Sequence, residues 1–375
     1  YTGFFTENVN AVFGLQVEVK HLPLPIGISF YTFQSISYLV DIYRRVCEPQ
    51  KNIVKMGLFI SFFPQLIAGP ILKYYDIASQ IDKRQVTLPL FNEGAVRFLQ
   101  GLAKKVIIAN IMAKTADEIF ALGISDISTP TAWIGIIAYT FQIYFDFSGY
   151  SDMAIGLGKM FGFHIHENFN HPYTATSIKD FWRRWHISLS TWFKEYLYIP
   201  LGGNREGTLK TYRNLMIVFF LTGLWHGASW NFVIWGLFHG TFLVLERIFP
   251  IEKILHFRLL KSIYTLLVVI VAWVFFRAET LGSAWAYLNR MFVPYDMESY
   301  SKYLSNEFVY VAVLALASCG FGAMLYRRLF ALIGRENWGN AVVRAVNPAF
   351  CAVIAYFSVL LLASNTYNPF IYFRF

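Results

Sequence analysis

Residues 214–245 read NLMIVFFLTGLWHGASWNFVIWGLFHGTFLVL, 32 consecutive positions without Asp, Glu, Lys or Arg. As one straight helix this stretch would run ~48 Å at 1.5 Å per residue. The hydrocarbon core of a bilayer is only ~30 Å thick, so the stretch must tilt or break. Gly223-Leu224-Trp225-His226-Gly227 supplies the expected break, with a glycine on either side of the histidine. Irregular backbone at membrane depth is tolerated where it lines a cavity. His226 falls ~18 Å along such a helix from Arg213, which places it near the middle of the bilayer. An imidazole at that depth is costly and points to function before packing.

The rest of the chain supports the membrane reading. Of 375 residues, 56% are hydrophobic and 15% charged, and mean hydropathy is +0.44. Soluble domains carry about 25% charged residues. Further apolar spans are expected at 22–42, at 53–72 with breaks at Pro64, Gly69 and Pro70, and at 131–163, 262–276, 307–325 and 347–364. They are continuously apolar, without the period-two alternation of barrel strands. The expectation is an all-α polytopic membrane protein forming one domain over 1–375. Residues 94–122 are helical in period but carry Arg97, Lys104 and Lys105, which suggests a surface or groove-lining helix. The +9 net charge is read as basic cytoplasmic loops. With no long Lys/Arg run, nucleic acid is not an expected partner. The three cysteines form no CxxC pair, and no HExxH or ordered carboxylate–histidine cluster appears, so no metal site is expected.

Immediately before the uncharged stretch, residues 164–207 concentrate charge, aromatics and imidazole. Asp180-Phe181-Trp182-Arg183-Arg184-Trp185-His186 places Trp182, Arg183 and His186 within one turn if helical. Read blandly, this is an interfacial aromatic belt with snorkelling arginines. Read functionally, His186 is a second polar group facing His226, and Arg183 and Arg184 hold an anionic donor. Arginine suits phosphate because its fork is planar and bidentate. Gln142 and Asp146 share a face of the 131–163 helix. Asp146, next to Tyr144 in Tyr144-Phe145-Asp146, could pair with Arg183 or Arg184, orient a histidine, or relay protons. His239 follows His226 by thirteen residues and would lie on a different face of a continuous helix. His21, His164, His166 and His171 read as loop or surface groups. Leu201-Gly202-Gly203-Asn204-Arg205 lacks the Walker Lys-Ser/Thr and reads as a tight turn.

Taken together, Phe62–Pro70, Gln142–Gly158, Asn168–Tyr173, Asp180–Ser190, Tyr196–Arg205, Leu224–Gly227 and Asn368–Phe375 resemble the membrane-bound O-acyltransferase superfamily, in its alginate O-acetyltransferase branch. Members of that family begin with additional membrane helices that this numbering lacks. The resemblance implies a ring of tilted helices around a thin central partition with a tunnel through it. It maps the superfamily's histidine onto His226 and its second polar position onto His186. It also implies acetyl transfer towards an extracytoplasmic polysaccharide across the bacterial inner membrane. The donor so implied is acetyl-CoA, with no permanently bound cofactor. The implied partners are membrane lipid, an SGNH-type acetyltransferase and the polysaccharide synthesis and export machinery. Trp182, Trp185, Arg205, Tyr144, Asp146, Trp225 and His239 complete the candidate substrate and donor contacts beside Arg183 and Arg184. Acyl transfer needs a base near the acceptor and a donor to the developing oxyanion. His226 is read as base or transient acyl carrier, and an N–H of His186 or Trp185 as the oxyanion donor. Rival readings are acyl transfer to another cell-envelope polymer (peptidoglycan, cellulose or teichoic acid), a transporter, which also suits broken helices and a midplane polar site, and a non-catalytic assembly scaffold.

Overall fold

Long apolar runs with few strand-forming alternations give a chain of helices, and in the computed structural model every regular element described is helical. The structure describes residues 1–18, 25, 27–295, 300–332 and 336–364, with the side chains of 327 and 329–347 left aside. His21, Pro23 and the Asn368–Phe375 motif lie outside the described residues. In chain order the α-helices are α1 (Thr2–Phe13), α2 (Ile28–Tyr43), α3 (Ile53–Ile60), α4 (Tyr74–Lys83), α5 (Leu88–Ala103), α6 (Asn110–Phe120), α7 (Thr129–Met160), α8 (Ile178–Trp182) and α9 (Ile187–Phe193). They continue as α10 (Thr208–His226), α11 (Trp230–Ile248), α12 (Ile251–Ile254), α13 (Arg258–Arg277), α14 (Leu281–Phe292), α15 (Asn306–Leu316), α16 (Gly322–Leu332) and α17 (Glu336–Ser364). Two helical stretches, Arg258–Arg277 and Asn306–Tyr326, are long and apolar enough to cross a membrane.

The uncharged stretch is broken where its glycines predict. α10 ends at His226, Gly227 is extended, and Ser229 caps α11 by accepting from the Asn231 N–H. The two helices fold back on each other as a hairpin. A Cβ on Gly236 would lie 2.2 Å from the Phe219 carbonyl, and one on Gly223 2.3 Å from the Phe232 carbonyl. Glycine therefore sets the helix separation on both partners, as in small-residue membrane interfaces. Because His226 and His239 sit on different helices, the single-helix face argument does not apply to them.

Two other sequence expectations change. Residues 53–72 do not make one span: α3 stops at Ile60 and residues 61–69 turn, since Pro64 cannot continue a helix. Residues 94–122 take the groove-lining form of the two expected, with Arg97 and Lys104 on a chamber wall, and not that of a surface helix. α5, a π-helical segment over Lys104–Ala109 and α6 run on together and pack along α7. A Cβ on Gly101 would meet the Gly149 carbonyl at 2.5 Å. The basic residues of this segment turn inwards. Lys105 pairs with buried Asp146, Lys104 with Asp152 at 2.6 Å, and Arg97 with Asp152 at 2.7 Å and Glu167 at 2.5 Å. Asp146 is thus matched by Lys105 and not by Arg183 or Arg184. Sequence separation hid this pair, 41 residues apart.

Candidate active site

Trp182, Arg183 and His186 do not share a helical turn, because α8 ends at Trp182 and α9 starts after His186. His186 takes a left-handed backbone with φ 44°, a conformation that non-glycine residues adopt at a cost and that clusters at functional sites. The reward is position. His186 is buried, and its Nδ1 lies 3.1 Å from the Asn168 Oδ1. The same oxygen accepts from the Ser188 N–H at 3.1 Å and the Ser188 hydroxyl at 2.8 Å. A backbone N–H can only donate, so that atom is the amide oxygen and the His186 Nδ1–H donates to it. Neutral His186 then carries its lone pair on Nε2, which has no hydrogen-bond partner among the described residues. This corrects the expectation of a neutral His186 N–H at an oxyanion: its N–H is already used. Asn168, which sequence reasoning noted only as part of a motif, is the residue that fixes the imidazole. The support extends outwards, since the Ser188 hydroxyl accepts from the Ile71 N–H at 2.9 Å, just after the 61–69 turn.

His226 closes α10 and is half-buried. It is level with the end of α13: Phe276 lies 5.1 Å away between ring centroids, and Asn231 donates to the Ala278 carbonyl at 2.5 Å. The hairpin turn thus puts His226 towards one end of the apolar α13, not at its centre. Trp235 meets its ring edge-on at 4.9 Å and Trp225 at 4.7 Å. Trp225 also faces His186 at 6.3 Å, and the two histidines are within electrostatic range of each other. The Trp225 indole therefore stands between them, with its N–H buried and unpartnered among the described residues. With the Trp235 N–H, it is one of two buried N–H groups beside His226 left open to a carbonyl oxygen.

Two grooves flank α9 and α10. One, of about 480 Å³, runs between α2, α9 and α10 and ends on Leu221, Leu224 and Trp225. The other, of about 240 Å³, is bordered by Lys179, Arg183 and Lys194, with Trp182, Phe219 and Thr222 on its apolar wall. Phe193 lines both. His226 lines neither; Trp225 lines the first and Trp182 the second. Of the arginines named from sequence, only Arg183 lines the basic groove. Arg184 is held by Asp180 at 2.9 Å, and Arg205 is exposed in the turn before α10. Lys179 and Lys194 were missed, because a lone lysine in an aromatic-rich run carries no spacing signal. Tyr144 packs against Trp185, tilted at 6.1 Å, and meets Phe169 edge-on at 5.9 Å. It lines a separate 620 Å³ chamber with Arg97, Lys104 and Asp152. His239 is fully buried behind Trp182 and Trp235, each 5.2 Å away.

Residues 48–279, which include both histidines and the hairpin, match the membrane-bound O-acyltransferase family. Aligned relatives include a probable alginate O-acetylase of Azotobacter vinelandii, 44% identical over 100% of this chain and 81% of that protein. A peptidoglycan O-acetyltransferase of Helicobacter pylori is 44% identical over 78% of this chain and 61% of its own length. A teichoic acid D-alanyltransferase of Bacillus subtilis is 28% identical over 60% and 59%. With that match covering the histidine pair and the broken helix that carries it, the chain belongs to the membrane-bound O-acyltransferase family and is an O-acyltransferase of the membrane.

Proposed function

We propose that this protein moves acetyl from cytoplasmic acetyl-CoA through the bacterial inner membrane for O-acetylation of an extracytoplasmic polysaccharide. The observation that carries the reading is the pair His186 and His226, both packed against Trp225, whose buried N–H has no partner among the described residues and whose ring lines one groove. The 44% identity to a probable alginate O-acetylase over the whole chain makes alginate, or a similar uronate polymer, the first acceptor to test. The 44% identity to a peptidoglycan O-acetyltransferase makes peptidoglycan the second.

Orientation follows from charge. Glu246, near the end of α11, accepts from the Ile178 and Lys179 N–H groups at 2.6 and 3.1 Å. That contact puts Lys179 and Arg183 at the same end of the bundle as Arg205, Lys210, Arg247 and Arg258. The hairpin tip at residues 227–229 is at the other end, where Arg277 is paired with Asp117 at 2.9 Å. The basic end is the cytoplasmic one by the positive-inside rule. On this reading the helices surround a central tunnel, with the basic groove as its cytoplasmic entrance. Lys179, Arg183 and Lys194 hold donor phosphates there, and no carboxylate is among that groove's lining residues. The extracytoplasmic mouth faces the polymer machinery and an SGNH-type partner that completes delivery.

The chemistry balances within the pair. His226 takes the proton of the acceptor hydroxyl as its oxygen bonds to the acetyl carbon. The Trp225 N–H donates to the oxyanion of the tetrahedral intermediate. The carbon–sulfur bond then breaks, and the proton passes from His226 to the thiolate, releasing CoA thiol. His186 Nε2, fixed as an acceptor by Asn168, receives a hydrogen bond from a neighbouring hydroxyl of the acceptor sugar and so aims the reacting one. A transporter or scaffold would leave the thioester intact. The test is acetylation of cell-envelope polymer in cells expressing His226→Ala at parental abundance. A general base is worth ~10²–10⁴ in rate, so acetylation falls to background. Unchanged acetylation would refute the assignment.

A further inference from the structure

The 620 Å³ chamber that stands apart from the two grooves is far larger than the gaps close-packed interiors leave. Its walls divide by chemistry. One side is apolar, with Ile107 and Ile108 from the π-helical segment, Leu314 from α15, and Phe350 and Ile354 from α17. Leu314 and Phe350 are exposed, and Leu314 belongs to a stretch long and apolar enough to cross a membrane. That side therefore opens towards hydrocarbon. The other side carries Arg97, Lys104, Asp152 and Glu167. Asp152 gives one oxygen to Arg97 at 2.7 Å and the other to Lys104 at 2.6 Å, and Arg97 reaches on to Glu167 at 2.5 Å. The four charges sum to zero. Arg277, at the hairpin-tip end, lies over the Tyr139 ring in the first half of α7 at 5.9 Å. Asp152, further along the same helix, thus lies towards the basic end.

The two sides together select a ligand. A lysine ammonium has three N–H donors and a guanidinium five. Lys104 and Arg97 spend only some of theirs on Asp152 and Glu167, which leaves donors for a phosphate. Glu167 is more than half exposed and meets Arg97 through one oxygen, so its other oxygen can accept from a cation. A purely anionic ligand would add net charge to a chamber whose charges already balance, and charge beside hydrocarbon is costly. A ligand that joins a phosphate to a primary ammonium adds none, and the apolar side takes hydrocarbon chains. We propose that this chamber binds a phospholipid with an ethanolamine head. The phosphate meets Arg97 and Lys104, the ammonium meets Glu167, and an acyl chain lies along Leu314, Phe350 and Ile354. Phe169 and Ile187 also line the chamber, and they adjoin Asn168 and His186 in the chain. The lipid thus backs the turn that holds His186. The proposal stands independently of the acyl donor and of the acceptor polymer.

The experiment uses the full-length protein stripped of lipid in detergent, and three lipids with identical chains and ethanolamine, choline or glycerol heads. Native mass spectrometry reads binding and thermal unfolding reads stabilisation. The choline head keeps the phosphate but has no N–H to donate, and the glycerol head has no cation. The parent should bind the ethanolamine lipid roughly tenfold or more tightly than either of the others, the effect of one hydrogen bond to a charged group. Equal binding of all three, or binding of none, would overturn the proposal. Inorganic phosphate alone should not raise the melting temperature; stabilisation equal to that by the lipid would mean a site for a free anion and would overturn it. Leu314→Trp fills the apolar side from an exposed position and leaves every charge in place. It should lose the tight binding of the ethanolamine lipid, and retention would put the lipid elsewhere. Glu167→Gln, at a residue more than half exposed, decides the matter if Leu314→Trp does not fold. It should bring ethanolamine and choline lipids to equal affinity, and a preference kept at the parental level would overturn the proposal.

Discussion

At the scale of single residues, the account turns on how His186 is held. The Asn168 Oδ1 accepts from His186 Nδ1 and twice from Ser188, so the tautomer is set by an amide and not by a carboxylate. Asn168→Ala should therefore lower kcat for acetyl transfer by ~10-fold or more, less than the ~10²–10⁴ expected for loss of a general base. KM for acetyl-CoA should stay near the parental value, since the basic groove is untouched. Steady-state kinetics on purified protein checks this, and a raised KM with normal kcat would contradict it. Part of this arrangement was legible in the sequence. His226 stood out because an imidazole between glycines in an uncharged stretch has little structural excuse. The partners of His186 were not legible: Asn168 is eighteen residues away, and the contact depends on a left-handed turn that composition does not announce. The Lys105–Asp146 pair was hidden in the same way, and proximity in the charged 180–205 run pointed to the wrong cation.

At the scale of elements, glycine positions decide which helices can approach. Along α10 and α11, Gly223 and Gly236 each face a backbone carbonyl closer than any Cβ allows. Gly236→Ala should force the hairpin open and cost ~1–3 kcal/mol, the usual range for overpacking. Thermal unfolding in detergent reads the loss, and an unchanged melting temperature would show that the two helices can separate freely. Between α7 and the α5–α6 run, Lys105 and Asp146 are both buried. Removing one partner leaves an uncompensated charge, a change worth ~3–5 kcal/mol, whereas replacing both with apolar residues is far cheaper. Lys105→Met or Asp146→Leu alone should thus destabilise more than the double variant, and the reverse order would assign the pair a chemical role. The hairpin break was readable because 32 uncharged residues exceed what one straight helix can bury. The turn at 61–69 was anticipated as a weak point at Pro64 but not as the end of the helix. Hydropathy alone cannot separate a kinked span from a short helix followed by a buried loop.

At the scale of the whole molecule, the basic end and the hairpin tip lie at opposite ends of the bundle, and on the proposed route the acyl group travels between them. If the 182–205 segment is cytoplasmic, a cysteine placed at exposed Arg205 should react with a membrane-impermeant maleimide only after the inner face is opened. Labelling of intact cells from the periplasmic side would reverse the proposed orientation. The central claim is that acetyl alone crosses at His226, while the charged body of CoA remains on its own side. It is tested most directly in sealed vesicles with a single protein orientation, labelled acetyl-CoA supplied only at the basic face, and a hydroxyl-bearing uronate oligomer with its SGNH-type partner at the other. The account predicts label on the oligomer in the parent, none with His226→Ala, and no CoA on the oligomer side. Label that appears only when acetyl-CoA is supplied on the oligomer's own side would contradict it.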